Sequence, residues 1–284
     1  MQPFKIFCCQ IPFHLPALCD MSPILPQLLI AWLGIFTVIN LTFCLSEKLR
    51  NAGIIDVLWG FSFGALAVYF ALSGKEGDET RRMILAITAC LWSGRLGLHL
   101  LMRFKRHYPN EDRRYTELRK RWGETTTIKM FGVFHWQGLL MMAFSVVFAV
   151  PTWNESPTIS LLEWVSLAVV GIALIGEGLA DWQLTKFKIN SSPEEVCREG
   201  LWNYSRHPNY FFQWLAWVGL FLFAGTSGGW WTIYCPLLML FLLLKVFGVP
   251  ANEKQNLISK GEAYKAYQQT TSCFIPWPTK GASQ

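Results

Sequence analysis

Charge is scarce in this chain. Asp, Glu, Lys and Arg make up 15% of its 284 residues, where an ordinary soluble domain carries about 25%. That deficit argues against a conventional soluble surface. Metal-ligand spacing is missing as well. The eight Cys, at 8, 9, 19, 44, 90, 197, 235 and 273, include no C-x-x-C, so neither zinc nor a disulfide framework is expected. Cys44, Cys90 and Cys235 fall inside apolar runs, where a thiol behaves as a small hydrophobe. The chain has no glycine-rich phosphate loop, no nucleophile elbow and no metal motif. No internal repeat or low-complexity linker divides it, and nothing in it points to a nucleic-acid partner.

Apolar residues fill the place of the missing charge. They make up 52% of the chain, with 14 Trp and 21 Phe. Runs of about 20 apolar residues match the thickness of a bilayer. They fall at about 25–45, 53–73, 83–102, 132–151, 158–182, 208–225 and 229–249. Lipid offers an open backbone no partner, so each run is read as a helix. The expectation is an all-α, multi-pass membrane helix bundle of about seven transmembrane helices, with residues 25–284 as one domain. Residues 1–24 hold Lys5 and a short apolar stretch broken by Pro12 and Pro16, without a small-residue cleavage site. They read as an interfacial leader and not as a cleaved signal peptide.

Seven spans put the termini on opposite sides, and Lys and Arg decide which side is which. One set of segments carries 20 of the 25 basic residues; the other carries Lys5, Lys75, Arg81 and Arg82, and Arg95 lies within a span. The N-terminus is therefore expected outside and the long loops and tail in the cytoplasm. Chemistry with a soluble cofactor is expected on that cytoplasmic face.

Ionisable residues inside spans are costly and mark function or buried pairing. Trp92, Arg95, His99 and Arg103 share one stripe of the third helix, and Glu177 and Asp181 lie one turn apart on the fifth. They are expected to line a polar pocket, with Arg95 pairing with Glu177 or Asp181 as the structural alternative. Asp56 has two readings: a proton donor or a cap for the second helix.

The densest polar cluster beside an apolar run is "GLWNYSRHPNYFFQWLAWVG", residues 200–219. Arg206 and His207 offer N–H donors suited to phosphate oxygens. Asn209 suits an amide, and Tyr204 and Tyr210 suit a planar ring or an interfacial anchor. Pro208 marks the helix start. The tail from Asn252 to Lys280 reads as an amphipathic helix along the membrane surface. "HYPNEDRRYTELRKRWG" reads as a solvated basic face drawn to acidic lipid.

These motifs carry a resemblance. "DVLWG" (56–60), "RLGLHLLMR" (95–103), "EDRRYTELRKRWG" (111–123), "EGLADWQLTKFK" (177–188), the RHPNY core (206–210) and "YQQTTSCFIPW" (267–277) jointly resemble the steroid 5α-reductase C-terminal superfamily, in its DUF1295 branch. The resemblance implies a membrane enzyme that holds NADPH in its cytoplasm-facing half and passes hydride to an activated C=C bond of a lipid or steroid-like substrate. It implies that Asp181, Lys188, Arg206, His207, Asn209 and Tyr210 contact the dinucleotide, with Arg95 and Arg103 as phosphate partners. Reductases of the superfamily pair a Glu on the second helix with a Tyr on the third. Asp56 and Trp92 stand at those places here, which leaves His99 as a substitute proton donor beside Asp56. The Glu that often follows RHPNYF is Gln213. The RHPxY motif is also similar to that of isoprenylcysteine carboxyl methyltransferases, in which Arg206, His207 and Glu253 would hold S-adenosylmethionine. A non-enzymatic membrane protein is the third reading. The expected membrane is a bacterial inner membrane or the endoplasmic reticulum.

Overall fold

A computed structural model describes residues 24–74 and 76–279. The leader expected over 1–24 lies outside them, except for Ile24, which begins the first helix. Nine α-helices follow in order among the described residues. They are α1 (Ile24–Leu49), α2 (Ile54–Ser73), α3 (Glu79–His107), α4 (Arg113–Trp122), α5 (Thr126–Ala149), α6 (Leu161–Asn190), α7 (Pro208–Gly225), α8 (Tyr234–Phe241) and α9 (Val249–Thr270). The only strand-like pairing among the described residues is an isolated bridge between Ser205 and Ser272.

Among the described residues, six helical stretches are long and apolar enough to cross a membrane: α1, α2, α3, Arg113–Trp153, α6 and Trp230–Thr270. The run at 208–225, expected as a further span, forms α7 but is not among them. Its 18 residues include Asn209 and Gln213, and it is packed inside the bundle with more than half of its residues buried. A helix sheltered by its neighbours has no need of a uniformly apolar surface. The lipid-type surface lies instead on the outer helices, where Leu29, Leu33, Leu91, Ile172 and Ile175 stand exposed.

Close approach sets the pairing of helices. A Cβ on Gly60 of α2 would lie 2.6 Å from the Gly97 Cα of α3, so this crossing depends on two facing glycines. On α6, a Cβ on Gly176 would meet the Phe212 ring at 2.4 Å, joining α6 to α7 in the same way. α5 stands between these pairs and touches α1, α2, α7 and α8.

The core is aromatic. Trp217 of α7 lies 4.5 Å from the Phe144 ring of α5, 5.0 Å from Phe63 of α2 and 5.2 Å from Trp92 of α3, mostly edge to face. Such offset geometry suits the ring quadrupoles. Trp92 and Trp217 are both fully buried. One end of the bundle is tied by Arg81, also fully buried, which donates to Glu163 at 2.5 Å and to the Asn154, Ser156 and Thr158 carbonyls. Arg81 is thus a clamp between α3 and α6 and not a solvated loop charge. Most of the remaining charge gathers at the other end, with α4 and α9.

Candidate functional site

Three helices each contribute two polar residues one turn apart at the same depth: Arg95 and His99 on α3, Glu177 and Asp181 on α6, Asn209 and Gln213 on α7. Residues four apart share a helix face, so the three pairs converge. Arg95 Nη1 donates to Asp181 at 2.8 Å, and its Nη2 pairs with Glu177. Asn209 donates to the other Asp181 oxygen at 3.2 Å, and His99 Nδ1 stands 3.6 Å from Asp181. One arm of the Gln213 amide lies 2.9 and 3.2 Å from the two Glu177 oxygens, which it can serve as an N–H donor. Trp92 forms the floor: its indole N–H faces Glu177 but falls short of a hydrogen bond to it. Arg95, His99, Glu177 and Asp181, expected to line a polar pocket, do come together, with Arg95 paired to both carboxylates as in the structural alternative. It adds Gln213, whose spacing from Asn209 was the available signal. The third-helix position that lacks a phenol, Trp92, is a core tryptophan.

A second group surrounds Asp56. Helix α2 starts at Gly53 with no side-chain cap, so Asp56 is not a cap. Its carboxylate instead accepts from Arg114 Nη2 at 2.6 Å and from the Tyr115 hydroxyl at 2.9 Å. The stretch expected to be a solvated basic face is therefore tied into the bundle through α4. Asp112 caps α4 by accepting from the Arg114 N–H at 3.0 Å, and it also accepts from Arg103 at 2.5 Å. Burial would push the Asp112 carboxyl up, but the hydrogen bonds and charge of Arg114, with Arg103 behind, bring it below the ordinary carboxylate value. Glu111 accepts from the Ala52 N–H at 2.7 Å and from Arg119 at 2.9 Å. Sequence reasoning missed Tyr115, the buried phenol that faces Asp56. Its signal was its place three residues beyond the capping Asp112, on the inward face of α4.

The RHPNY loop turns toward the tail. Arg206 donates to both Glu253 oxygens, at 3.0 and 3.2 Å, and to the Gln268 and Thr271 carbonyls. His207 is buried and places Nε2 2.8 Å from Glu253. The same carboxylate accepts from the Tyr264 hydroxyl at 2.9 Å and from Gln268. The His207 ring stacks on Tyr210 at 5.5 Å, and Tyr210 reaches Asn252 through its hydroxyl. Beyond α9 the described chain, 271–279, is a series of bends and not the helix expected there. Its Ser272 carbonyl accepts from the Arg206 N–H at 2.9 Å, and Trp277 N–H donates to Tyr204 at 3.0 Å. His207, Glu253 and Cys273 bring metal-type ligand atoms within 4.8 Å of one another, but the guanidinium of Arg206 already holds both carboxylate oxygens.

Free cations lie elsewhere. Lys188 and Arg106 are exposed and have no ion-pair partner among the described residues. Lys188 stands in the repulsive fields of Arg103 and Arg106 and the attractive field of Asp181, and Lys260 lies close to it. Arg103 keeps about half its side chain exposed, and Tyr204 is exposed on the same end.

No solved structure matches this chain. It is similar to a fission yeast (Schizosaccharomyces pombe) protein named "Uncharacterized protein C594.04c", 24% identical over 269 residues that cover 84% of this chain and 76% of the relative. Residues 42–271 match the family described as "Protein of unknown function (DUF1295)". That match takes in both the α3–α6–α7 cluster and the Glu253 hub, and the chain belongs to the DUF1295 family.

Proposed function

We propose that this protein is a membrane-embedded, NADPH-dependent reductase that acts on an activated C=C bond of a hydrophobic substrate. The observation that carries this reading is the set of cations without a carboxylate partner among the described residues, Lys188, Arg106 and Lys260, outside the Arg95–Asp181–Asn209 cluster, with Arg103 half-exposed beside them in its pair with Asp112. Guanidinium and ammonium groups without carboxylate partners suit phosphate oxygens. S-adenosylmethionine has no phosphate and carries a sulfonium, so the same cations oppose the methyltransferase reading. Positive-inside topology gives the charge its sign, and on this reading that end faces the cytoplasm.

NADPH supplies hydride when bound. The chain's own residues bind, orient and move protons. Lys188, Arg106 and Arg103 take the phosphates, while Asp181 and Asn209 offer an acceptor and a donor to an amide. Tyr204 can lie against a ring. Arg206, His207 and Tyr210 act one step back, since Glu253 and Asn252 hold them and they in turn fix the loop before Asn209. Hydride addition to an enone places negative charge on its oxygen, which calls for an aimed hydrogen-bond donor. The acid–phenol pair that the resemblance expects between the second and third helices is assembled here from α2 and α4, as Asp56 with Tyr115. His99 is the second donor on this face.

The test is a thermal-shift titration of the protein in detergent with NADPH, NADH and S-adenosylmethionine. A ligand that binds only the native state raises its apparent stability. NADPH should stabilise, with a midpoint that weakens as salt is added. Lys188→Ala should weaken NADPH about tenfold, corresponding to one charge-assisted contact of about 1.5 kcal/mol. Stabilisation by S-adenosylmethionine alone would overturn the proposal.

A further inference from the structure

The α3–α6–α7 cluster has an unbalanced charge. Arg95 is one cation between two carboxylates, Glu177 and Asp181, and both carboxylates are buried. Fully ionised, the group would carry a net negative charge inside the bundle, where an uncompensated charge is costly. An imidazolium at His99 would not settle this. His99 is 3.6 Å from Asp181, outside hydrogen-bond range, and it faces Arg95, Arg103 and Arg106. The neighbouring helix α7 offers Asn209 and Gln213, both uncharged. A bound proton balances the cluster.

Geometry assigns that proton to one carboxyl. Asp181 is fixed as an acceptor by Arg95 at 2.8 Å and Asn209 at 3.2 Å. Glu177 shares Arg95 through Nη2, but it lies one turn deeper, is only 3% exposed, and has beyond that pair the Gln213 amide, which can turn either face to it. A primary amide presents N–H or C=O according to its rotation. Gln213 can therefore donate to an ionised Glu177 or accept from a protonated one, across the same 2.9 Å. An Arg or Lys at that place could serve the ionised form alone.

We propose that Glu177 is a proton-holding carboxyl whose proton rests on the Gln213 amide oxygen and exchanges with the polar end of the bundle by way of Asp181 and His99. His99 has about a third of its side chain exposed and stands between the buried pair and solvent. The transfer needs no co-reactant. A proton leaving Glu177 turns it into the carboxylate, and rotation of the Gln213 amide then supplies N–H in place of C=O. This site does not depend on the reductase reading.

Infrared spectroscopy of the protein in lipid vesicles, in H2O and D2O at neutral pH, tests the proposal without substrate or cofactor. Wild type should show the C=O stretch of a protonated carboxyl; Glu177→Gln should lose it, and Asp181→Asn should lose it as well, because the one carboxylate left then balances Arg95. A wild-type spectrum in Glu177→Gln overturns the assignment, and a band that survives in Asp181→Asn overturns the charge balance behind it; Gln213→Leu, which removes a group that meets Glu177 and not Asp181, tells which carboxyl carries the proton. Should Glu177→Gln not fold, Gln213→Leu provides the second reading. Without its acceptor the band should move to higher frequency, and an unmoved band counts against the proposal. His99→Phe should slow the H/D exchange of the band, and an unchanged rate removes His99 from the route.

Discussion

The Glu253 hub invites a double-mutant cycle with Arg206. Arg206 gives Glu253 two charge-assisted hydrogen bonds at 3.0 and 3.2 Å, and the two side chains are 11% and 14% exposed. Solvent screening is therefore modest, while the group stays near enough to the surface to escape a full interior penalty. Hydrogen bonds to charged partners contribute about 1.5–3 kcal/mol each, and removing one member of a buried pair costs about 3–5 kcal/mol. We expect Arg206→Ala to cost about 3 kcal/mol, part of it from the orphaned Gln268 and Thr271 carbonyls. Glu253→Ala should cost at least as much, because His207, Tyr264 and Gln268 lose an acceptor too. The double variant should recover about 1.5–3 kcal/mol relative to the sum, as contacting residues do. Melting in detergent, with protease sensitivity of the tail beyond residue 270 as a local probe, measures each corner. Additive losses would refute the hub and leave Arg206 free for a ligand. In that case NADPH should also raise the melting point of wild type more than that of Arg206→Ala.

Three further outcomes test the frame around the cluster. The Asp112 carboxyl sits below its ordinary value of 3.8, so the stability it confers is complete above pH 3.8 and fades as pH falls through its lower folded value. The melting points of wild type and Asp112→Asn should differ at pH 6 and converge below about pH 4; a gap that stays constant would remove the α4 cap from the account. Gly60→Val should destabilise by about 1–3 kcal/mol or more through overpacking against Gly97, since a Cβ there meets its Cα at 2.6 Å. Gly94→Ala, whose Cβ meets nothing within 4 Å, should be neutral or stabilising in the same melts.

Much of the bundle was legible because lipid leaves few choices: an apolar run of bilayer length becomes a helix. The Arg95–Asp181 contact was legible for the same reason, since a charge in such a run needs a partner. Two features were not. α4 reads as a soluble basic stretch, and only tertiary contact reveals that Arg114 and Tyr115 both reach Asp56. α7 combines polar and apolar residues because it is an interior helix, so its composition measures burial and not membrane exposure. The direction of Arg206 was also hidden. A cation beside an apolar run is equally consistent with an external phosphate and an internal carboxylate, and Glu253 lies 47 residues away in sequence.

That direction changes where a ligand belongs. Arg206 and His207 face α9 and the tail beyond it, and the stacked His207–Tyr210 pair stiffens the turn that delivers Asn209 and Gln213 one turn apart. The loop therefore acts on the cluster by positioning α7. Trp92 and Trp217 close the cluster from the core side. The side of the cluster away from that core is the polar end, where Arg103, Arg106 and Lys188 stand exposed. Of these, Lys188 and Arg106 have no ion-pair partner among the described residues, while Arg103 is held by Asp112. If RHPNY is a support, tail variants such as Tyr267→Phe, which loses the bond to the Trp202 carbonyl, should weaken ligand binding without touching the ligand. A tail variant that melts lower yet binds NADPH unchanged would separate the loop from the site.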